Sequence, residues 1–212
     1  MSRGRFIAFE GGEGAGKSTQ ARLLTTALRA RGIEVLLTRE PGGTPGAEAI
    51  RRLLLDPPGE GWGARAEALL FAAARADHVA RAIRPALEAG HWVVSDRFVD
   101  SSRAYQGGGG GLSDANVLDL HRIGSGGLLP DLTLLIEIAP EEAAVRLARR
   151  DGGESDAIGG RDAAYHAQVS AAFARIAEAE PQRFARVCSN DGPEATHALV
   201  MQALAPLIEE VR

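Results

Sequence analysis

Hydrophobic positions along the chain fall into two alternating patterns. Short apolar or β-branched runs occur at Arg5–Glu10, Glu34–Arg39, Trp92–Asp96, Leu132–Ile138 and, more weakly, Ala185–Ser189. Three of these runs are nearly continuous, as in strands covered on both faces. Between them, helical patterns extend over Lys17–Arg31, Ala47–Leu55, Ala66–Ala89, Asp114–Ile123, Glu141–Arg150, Asp162–Glu180 and Glu194–Glu210. Ser113 is placed to cap the helix that follows it. Pro140 with Glu141 and Glu142 makes a first turn that suits the helix dipole. Strands alternating with helices predict an α/β fold, a five-stranded parallel sheet flanked by helices on both faces. Three glycine-rich or polar stretches, Gly42–Gly46, Gly107–Gly111 and Asp151–Gly160, read as loops of the kind that hold ligands at a sheet's carboxyl edge.

Composition narrows the class. The chain has 212 residues, 45% hydrophobic and 25% charged, which suits one domain with a substantial core and excludes collagen-like, disordered and disulfide-scaffold proteins. The single cysteine, Cys188, has no internal partner and reads as a buried thiol in a reducing compartment. The apolar stretch Phe6–Phe9 is too short for a signal peptide, and no run approaches the ~20 apolar residues that span a bilayer. A cytoplasmic protein with no membrane partner is expected. Asp and Glu number 28 against 24 Lys and Arg, a net charge of −4, so the basic footprint of a nucleic-acid binder is missing. Only one of the basic residues is a lysine, Lys17. A lysine kept in so arginine-rich a chain marks a position where a planar guanidinium will not serve.

That lysine lies in the strongest motif. Gly11-Gly12-Glu13-Gly14-Ala15-Gly16-Lys17-Ser18 matches G-x-x-x-x-G-K-[ST] between a predicted strand and a predicted helix, the context of a P-loop. The glycines let backbone N–H groups turn toward phosphate oxygens, and the helix start attracts the anion. Gly11 through Ser18, with Thr19, form the triphosphate-binding set. Lys17 is placed for the β- and γ-phosphates and the Ser18 hydroxyl for Mg²⁺. Asp96, ending the third strand, suits the same Mg²⁺, and Arg97 beside it suits an acceptor phosphate. Arg39, Arg75, Arg97, Arg149, Arg150 and Arg161 fall in segments around the carboxyl edge, the cation crowd needed to bring a second phosphate beside a triphosphate. A GTPase base-reading N-K-x-D is excluded, since no second lysine exists. The five histidines, at 78, 91, 121, 166 and 197, lack metal spacing and read as structural. Two classes remain open on these residues: a phosphotransferase acting on a small phosphorylated acceptor, and a regulatory P-loop ATPase.

Several motifs, in order and over nearly the whole length, resemble the bacterial thymidylate kinases, enzymes that phosphorylate dTMP with ATP. They are FEGGEGAGKSTQ (Phe9–Gln20), TREPGGT (Thr38–Thr44), LLFAAARADH (Leu69–His78), SDRFVDSSRAYQGGG (Ser95–Gly109) and PDLTLLIEI (Pro130–Ile138). The resemblance implies a nucleoside-monophosphate kinase fold spanning 1–212 with a lid around 149–161, Mg²⁺, and a homodimer, for which the long apolar-rich helix Ala66–Ala89 offers an interface. It implies a cis Glu40–Pro41 bond. It gives Phe71 a stacking role on thymine and Arg75 the base's O4. Ser102 and Gln106 lie near the base, and Tyr105 fills the space where a ribose 2′-hydroxyl would sit. Glu13 faces the acceptor sugar or its magnesium, while Arg39 and Arg97 hold the acceptor phosphate. Lys17, Arg97 and a lid arginine, Arg150 first and Arg161 second, are the catalytic set. Two positions depart from the family pattern: Gly110 and Ala157 stand where arginines are usual. A deoxynucleoside kinase is the nearest alternative, and needs a carboxylate base such as Glu40 or Glu13.

Overall fold

The computed structural model describes residues 3–151 and 156–209, the side chains of Pro140 and of 147–151 excepted. Five parallel strands form one sheet: β1 (Phe6–Glu10), β2 (Val35–Arg39), β3 (Trp92–Asp96), β4 (Leu132–Glu137) and β5 (Phe184–Cys188), in spatial order β2-β3-β1-β4-β5. Central β1 is buried at all five positions. Its alternate side chains enter different layers, because successive residues of a strand face opposite ways. Ile7 and Phe9 join Leu24 and Leu28 of α1 (Lys17–Arg29) and Val200 and Leu204 of a C-terminal helix. Phe6 and Ala8 join Val79, Ile83 and Phe98 on the other face. The connections that follow β1 and β3 leave these parallel neighbours toward opposite edges of the sheet, so the loops after them open the crevice where α/β ligands bind.

Helices appear where the periodicity places them, with physical adjustments. After α1 come α2 (Pro45–Leu55) and α3 (Ala64–His78). The expected single helix Ala66–Ala89 is divided: α3 passes through a wider π-helical turn, Val79–Ile83, into α4 (Arg84–Glu88). Pro85 lies just beyond that turn and has no N–H to continue a regular ladder. Thr44 caps α2 by accepting from the Ala47 N–H, and Ser113 caps α6 (Asp114–Ser125) by accepting from the Asn116 N–H.

The segment after β3 corrects the sequence reading. Gly107–Gly111 is expected as a loop, but α5 (Val99–Ser102) runs into a π-helical stretch, Arg103–Gly109, that includes three of those glycines. Its partner is α8 (Ala163–Ala179), which follows α7 (Pro140–Asp151); α9 (Pro193–Glu209) ends the described chain. A Cβ on Gly108 would sit 2.4 Å from Ala172 Cβ, and one on Gly109 would sit 2.5 Å from the Tyr165 ring. The glycines are there for close helix approach. Cys188 is a second correction: it is exposed, because β5 is an edge strand whose end turns one side to solvent.

The close approach carries a prediction. Gly108→Ala should destabilise the fold by about 1–3 kcal/mol, as overpacking does, and urea unfolding should show a lowered midpoint. An unchanged midpoint would mean that α8 does not dock as described.

Candidate active site

The site is built on the turn after β1. Gly11 has φ 136°, and a Cβ there would meet the Ile136 carbonyl of β4 at 2.3 Å, so only glycine fits. Gly14 (φ 74°) and Gly16 (φ 95°) also hold left-handed conformations. Gly16 is the N-cap of α1 and supplies no capping side chain, which leaves the first helical N–H groups available to an anion. Lys17 is buried and donates from Nζ to the Gly12 carbonyl at 2.6 Å. Burial and then Arg97 lower its pKa to about 8, against the opposing pull of Glu13, Asp96 and Glu10.

The end of β3 faces this turn. Ser18 Oγ donates to Asp96 Oδ2, and Asp96 Oδ1 is buried without a hydrogen-bond partner among the described residues. A hydroxyl and a carboxylate with an unmet lone pair form a hard oxygen donor pair, which fits Mg²⁺. Among the described residues no cluster of three His, Cys, Asp or Glu exists. Arg97 has φ 71° and is the only non-glycine residue with positive φ among those described. Such a backbone persists when its surroundings over-determine it. Its NH1 donates to the Gly11 carbonyl at 3.2 Å and Ser101 Oγ at 3.0 Å; its NH2 donates to Glu13 and, at 3.1 Å, to the Tyr105 hydroxyl. Burial works against the guanidinium charge, but Tyr105, Glu13, Asp96 and Glu10 outweigh it and raise the pKa above the ordinary arginine value.

A cavity of about 890 Å³ runs from Gly14–Thr19 past Arg97 to a wall that includes Phe71, Arg75, Ser102, Tyr105 and Gln106. Arg75 on α3 is buried. Its Nε donates to Glu40 Oε2 at 2.7 Å and its NH2 to Ser102 Oγ at 2.9 Å. His78 Nδ1 shares a hydrogen bond with the second Glu40 oxygen at 3.1 Å. Gln106 Nε2 donates to buried Glu67 at 2.8 Å. Arg39 lines the cavity too and pairs with Glu48 at its half-open rim. The Glu40–Pro41 bond is cis, as the resemblance implies.

Similarity to known proteins agrees with this geometry. The family model described as thymidylate kinase matches residues 9–200. The thymidylate kinase of Rhizorhabdus wittichii is 58% identical over 97% of this chain and 99% of its own. That of Gluconobacter oxydans is 52% identical over 95% and 94%. The crystal structure of thymidylate kinase from Ehrlichia chaffeensis superposes with a TM-score of 0.76 at 31% identity, covering 95% of this chain and 99% of that one. The chain belongs to the thymidylate kinase family.

The two departures from the thymidylate kinase pattern have different outcomes. A Cβ on Gly110 would lie 2.7 Å from the Gln106 carbonyl, so the local backbone has no room for the usual arginine. At 156–159, Asp156 accepts from the Ile158 and Gly159 N–H groups and builds the turn, while the Ala157 N–H donates to the Leu55 carbonyl at 3.3 Å. Arg161, the second candidate for the catalytic arginine, is not among the residues that line the main cavity. Its guanidinium pairs with Glu67 and with the Tyr165 hydroxyl, beside a second cavity of about 310 Å³. The side chains of Arg149 and Arg150 lie outside the described residues.

Sequence reasoning missed several lining residues. Arg51 of α2 faces the cavity and donates from NH1 to the Pro41 carbonyl at 2.7 Å; burial and Arg39 lower its pKa. A signal existed, since Arg51 follows Ala47 by four residues and precedes Leu54 by three, on the buried stripe of α2. Arg146 of α7 lines the P-loop end, donating to Ser189 Oγ at 3.1 Å and to the Ser189 carbonyl at 2.6 Å. Only the fold brings those two segments together.

Glu10 was also missed. It ends β1, is fully buried, and accepts from the Phe98 N–H, the Ser101 N–H and Ser101 Oγ at 2.8, 3.0 and 2.6 Å. Burial, with Asp100, raises its pKa to about 7. A carboxyl that holds its proton more tightly folded than unfolded adds stability at low pH. That contribution is lost as pH rises from the unfolded value through about 7. Glu10→Gln should therefore gain on the wild type between pH 4.5 and 8, by on the order of 2–3 kcal/mol in urea titrations. Parallel pH profiles would show that Glu10 does not titrate in this way.

Proposed function

We propose that the chain transfers the γ-phosphoryl group of ATP to dTMP, giving ADP and dTDP. One observation carries the reading: a single cavity joins the P-loop to a wall holding an aromatic ring and buried Arg75, with Arg97 between them. ATP phosphates would lie on the P-loop N–H groups and Lys17, and thymine against Phe71, with Arg75, Ser102 and Gln106 at its polar edge. Arg39, Arg51 and Arg97 would hold the acceptor phosphate, and Glu13 the sugar side. Tyr105 would occupy the space beneath the sugar. An acceptor phosphate with a second pKa of ~6 is already nucleophilic at neutral pH, so alignment and charge neutralisation suffice and no side-chain base is needed. Ser18 and Asp96 would hold Mg²⁺, which when bound neutralises charge on the β- and γ-phosphates. Among the lid residues at 149–161, Arg150 is the arginine we assign to the transferring group.

A deoxynucleoside kinase would need a carboxylate ready to take a hydroxyl proton. Glu40 is buried and gripped by Arg75 and His78, and Glu13 is paired with Arg97, which speaks against that reading. We place the enzyme in the cytoplasm; among the described residues no helix is long and apolar enough to cross a membrane. We also assign it a homodimer. Leu53, Leu69 and Ile123 are 42%, 56% and 76% exposed on α2, α3 and α6, where α3 packs against both other helices. Exposed aliphatic side chains on helices that pack together fit a self-association face.

Two measurements test these assignments. With ATP-Mg²⁺ and dTMP, thymidine or no acceptor, ADP should form rapidly with dTMP alone, and UMP should be a poor substitute. Lys17→Ala should fold and lose ~10²-fold or more in kcat. Rapid ADP release without acceptor would favour a regulatory ATPase, and turnover of thymidine a nucleoside kinase. Light scattering should give about twice the chain mass of 22.3 kDa, falling to the monomer in Leu69→Glu. A monomeric wild type would overturn the dimer.

A further inference from the structure

Arg161 stands beside the smaller cavity, yet it is tied twice to the acceptor wall. Its NH1 donates to the Tyr165 hydroxyl at 2.6 Å, and that hydroxyl donates to the Tyr105 carbonyl at 3.0 Å. Its NH2 donates to Glu67 Oε2, while Glu67 Oε1 accepts from Gln106 Nε2 at 2.8 Å. Tyr105 and Gln106 are consecutive, so these bonds close into a ring that runs Tyr105–Tyr165–Arg161–Glu67–Gln106. The guanidinium also lies 4.6 Å from the centre of the Tyr165 ring, a cation–π contact. Three residues upstream, Ile158 is buried in an apolar cluster with Tyr105, against which Phe71 and Leu55 pack.

We propose that Arg161 is a positioning residue for acceptor recognition: pairing with Glu67 and Tyr165, it fixes Gln106 and Tyr105 and seats Ile158 in the apolar cluster beside Phe71. The proposal rests on the assignment of that wall to the dTMP base. Glu67 is almost fully buried and Arg161 only partly, so the ion pair gives Glu67 its compensating charge at the point where the lid meets α3. Removing the cation leaves a buried carboxylate with Gln106 as its remaining polar partner on this path. It must then recruit another donor or shift, and Gln106 moves with it. Releasing 156–161 also withdraws the Ile158 side chain from the apolar wall. Both effects act on the acceptor base. Neither touches Lys17 or the P-loop N–H groups.

Steady-state kinetics of the full chain separate this role from a catalytic or merely stabilising one. Arg161→Met should raise KM for dTMP at least ~5-fold while kcat stays within ~3-fold and KM for ATP is unchanged, the pattern of lost acceptor binding. The ratio of kcat/KM for dTMP over dUMP should fall at least ~3-fold, because the thymine methyl loses part of its apolar wall. That ratio is independent of the fraction of active enzyme, so a folding defect cannot move it. Glu67→Gln should shift the same parameters, and the double variant should be no worse than the worse single, since both remove one interaction. Arg161→Lys, which keeps the charge for Glu67, should recover part of the loss. A fall of ~10²-fold in kcat with KM and the acceptor ratio unmoved would make Arg161 a contact of the transferring group and overturn the proposal. Unchanged variants, or additive effects in the double variant, would overturn it as well. If the wild type itself fails to use dTMP, the acceptor assignment falls first; if it turns over dTMP and the variants match it, only the role of Arg161 falls.

Discussion

The site depends on the arginine held at the end of the third strand. Arg97 takes a left-handed backbone conformation that disfavours a residue with a Cβ, and it keeps that conformation through bonds to four different groups. Two belong to the P-loop, the Gly11 carbonyl and Glu13. Two belong to the helical segment that follows, Ser101 and Tyr105. A single guanidinium therefore ties the P-loop to the cavity wall that holds Tyr105. The same burial that would expel an isolated charge keeps this one in place, because every nearby carboxylate favours it. Anions brought to this space meet fixed cationic donors, which need little reorganisation when the phosphoryl group moves.

The segment holding Ser101, Ser102, Tyr105 and Gln106 is itself anchored from behind. Asp100 is fully buried and accepts two bonds from Arg183, at 2.6 and 2.8 Å, and one from Arg103 at 3.0 Å. Burial alone would raise its pKa, but Arg183 and Arg103 hold it below the usual carboxylate range. Arg103 continues to Asp114 and Glu180, so the network spans α5, α6 and the turn before β5. Buried ion pairs of this kind contribute little net stability relative to apolar packing, but breaking one partner leaves a stranded charge. The network specifies where the segment sits. Glu10 does the same from the strand side, receiving the N–H groups of Phe98 and Ser101 even though burial disfavours its charge.

Much of the chemistry was legible before folding, since it depends on local spacing. The P-loop needs glycines, a lysine and a hydroxyl within a few residues, and a strand before it. The roles of Phe71, Arg75, Ser102, Tyr105 and Gln106 came from the family resemblance; spacing alone says only that Phe71 and Arg75 share a helix face one turn apart. Elements with strong periodicity were legible for the same reason. The glycine-rich run after Tyr105 was not, because glycine signals loops in isolation and close helix approach only when a partner helix is present. Cys188 looked like a core residue by type; its exposure follows from the edge position of β5.

The sequence by itself determined the sheet class, the anion-binding turn, the cations near the carboxyl edge and the family pattern. Each is encoded in neighbours along the chain. Tertiary structure decided which cations share a cavity. Arg51 and Arg146 enter it from helices far apart in sequence, while Arg161, just after the turn at Asp156, is drawn to Glu67 and Tyr165. The physical reason is that a guanidinium goes to the acceptors within its reach. Which acceptors those are depends on packing between distant segments, and no spacing along the chain records it.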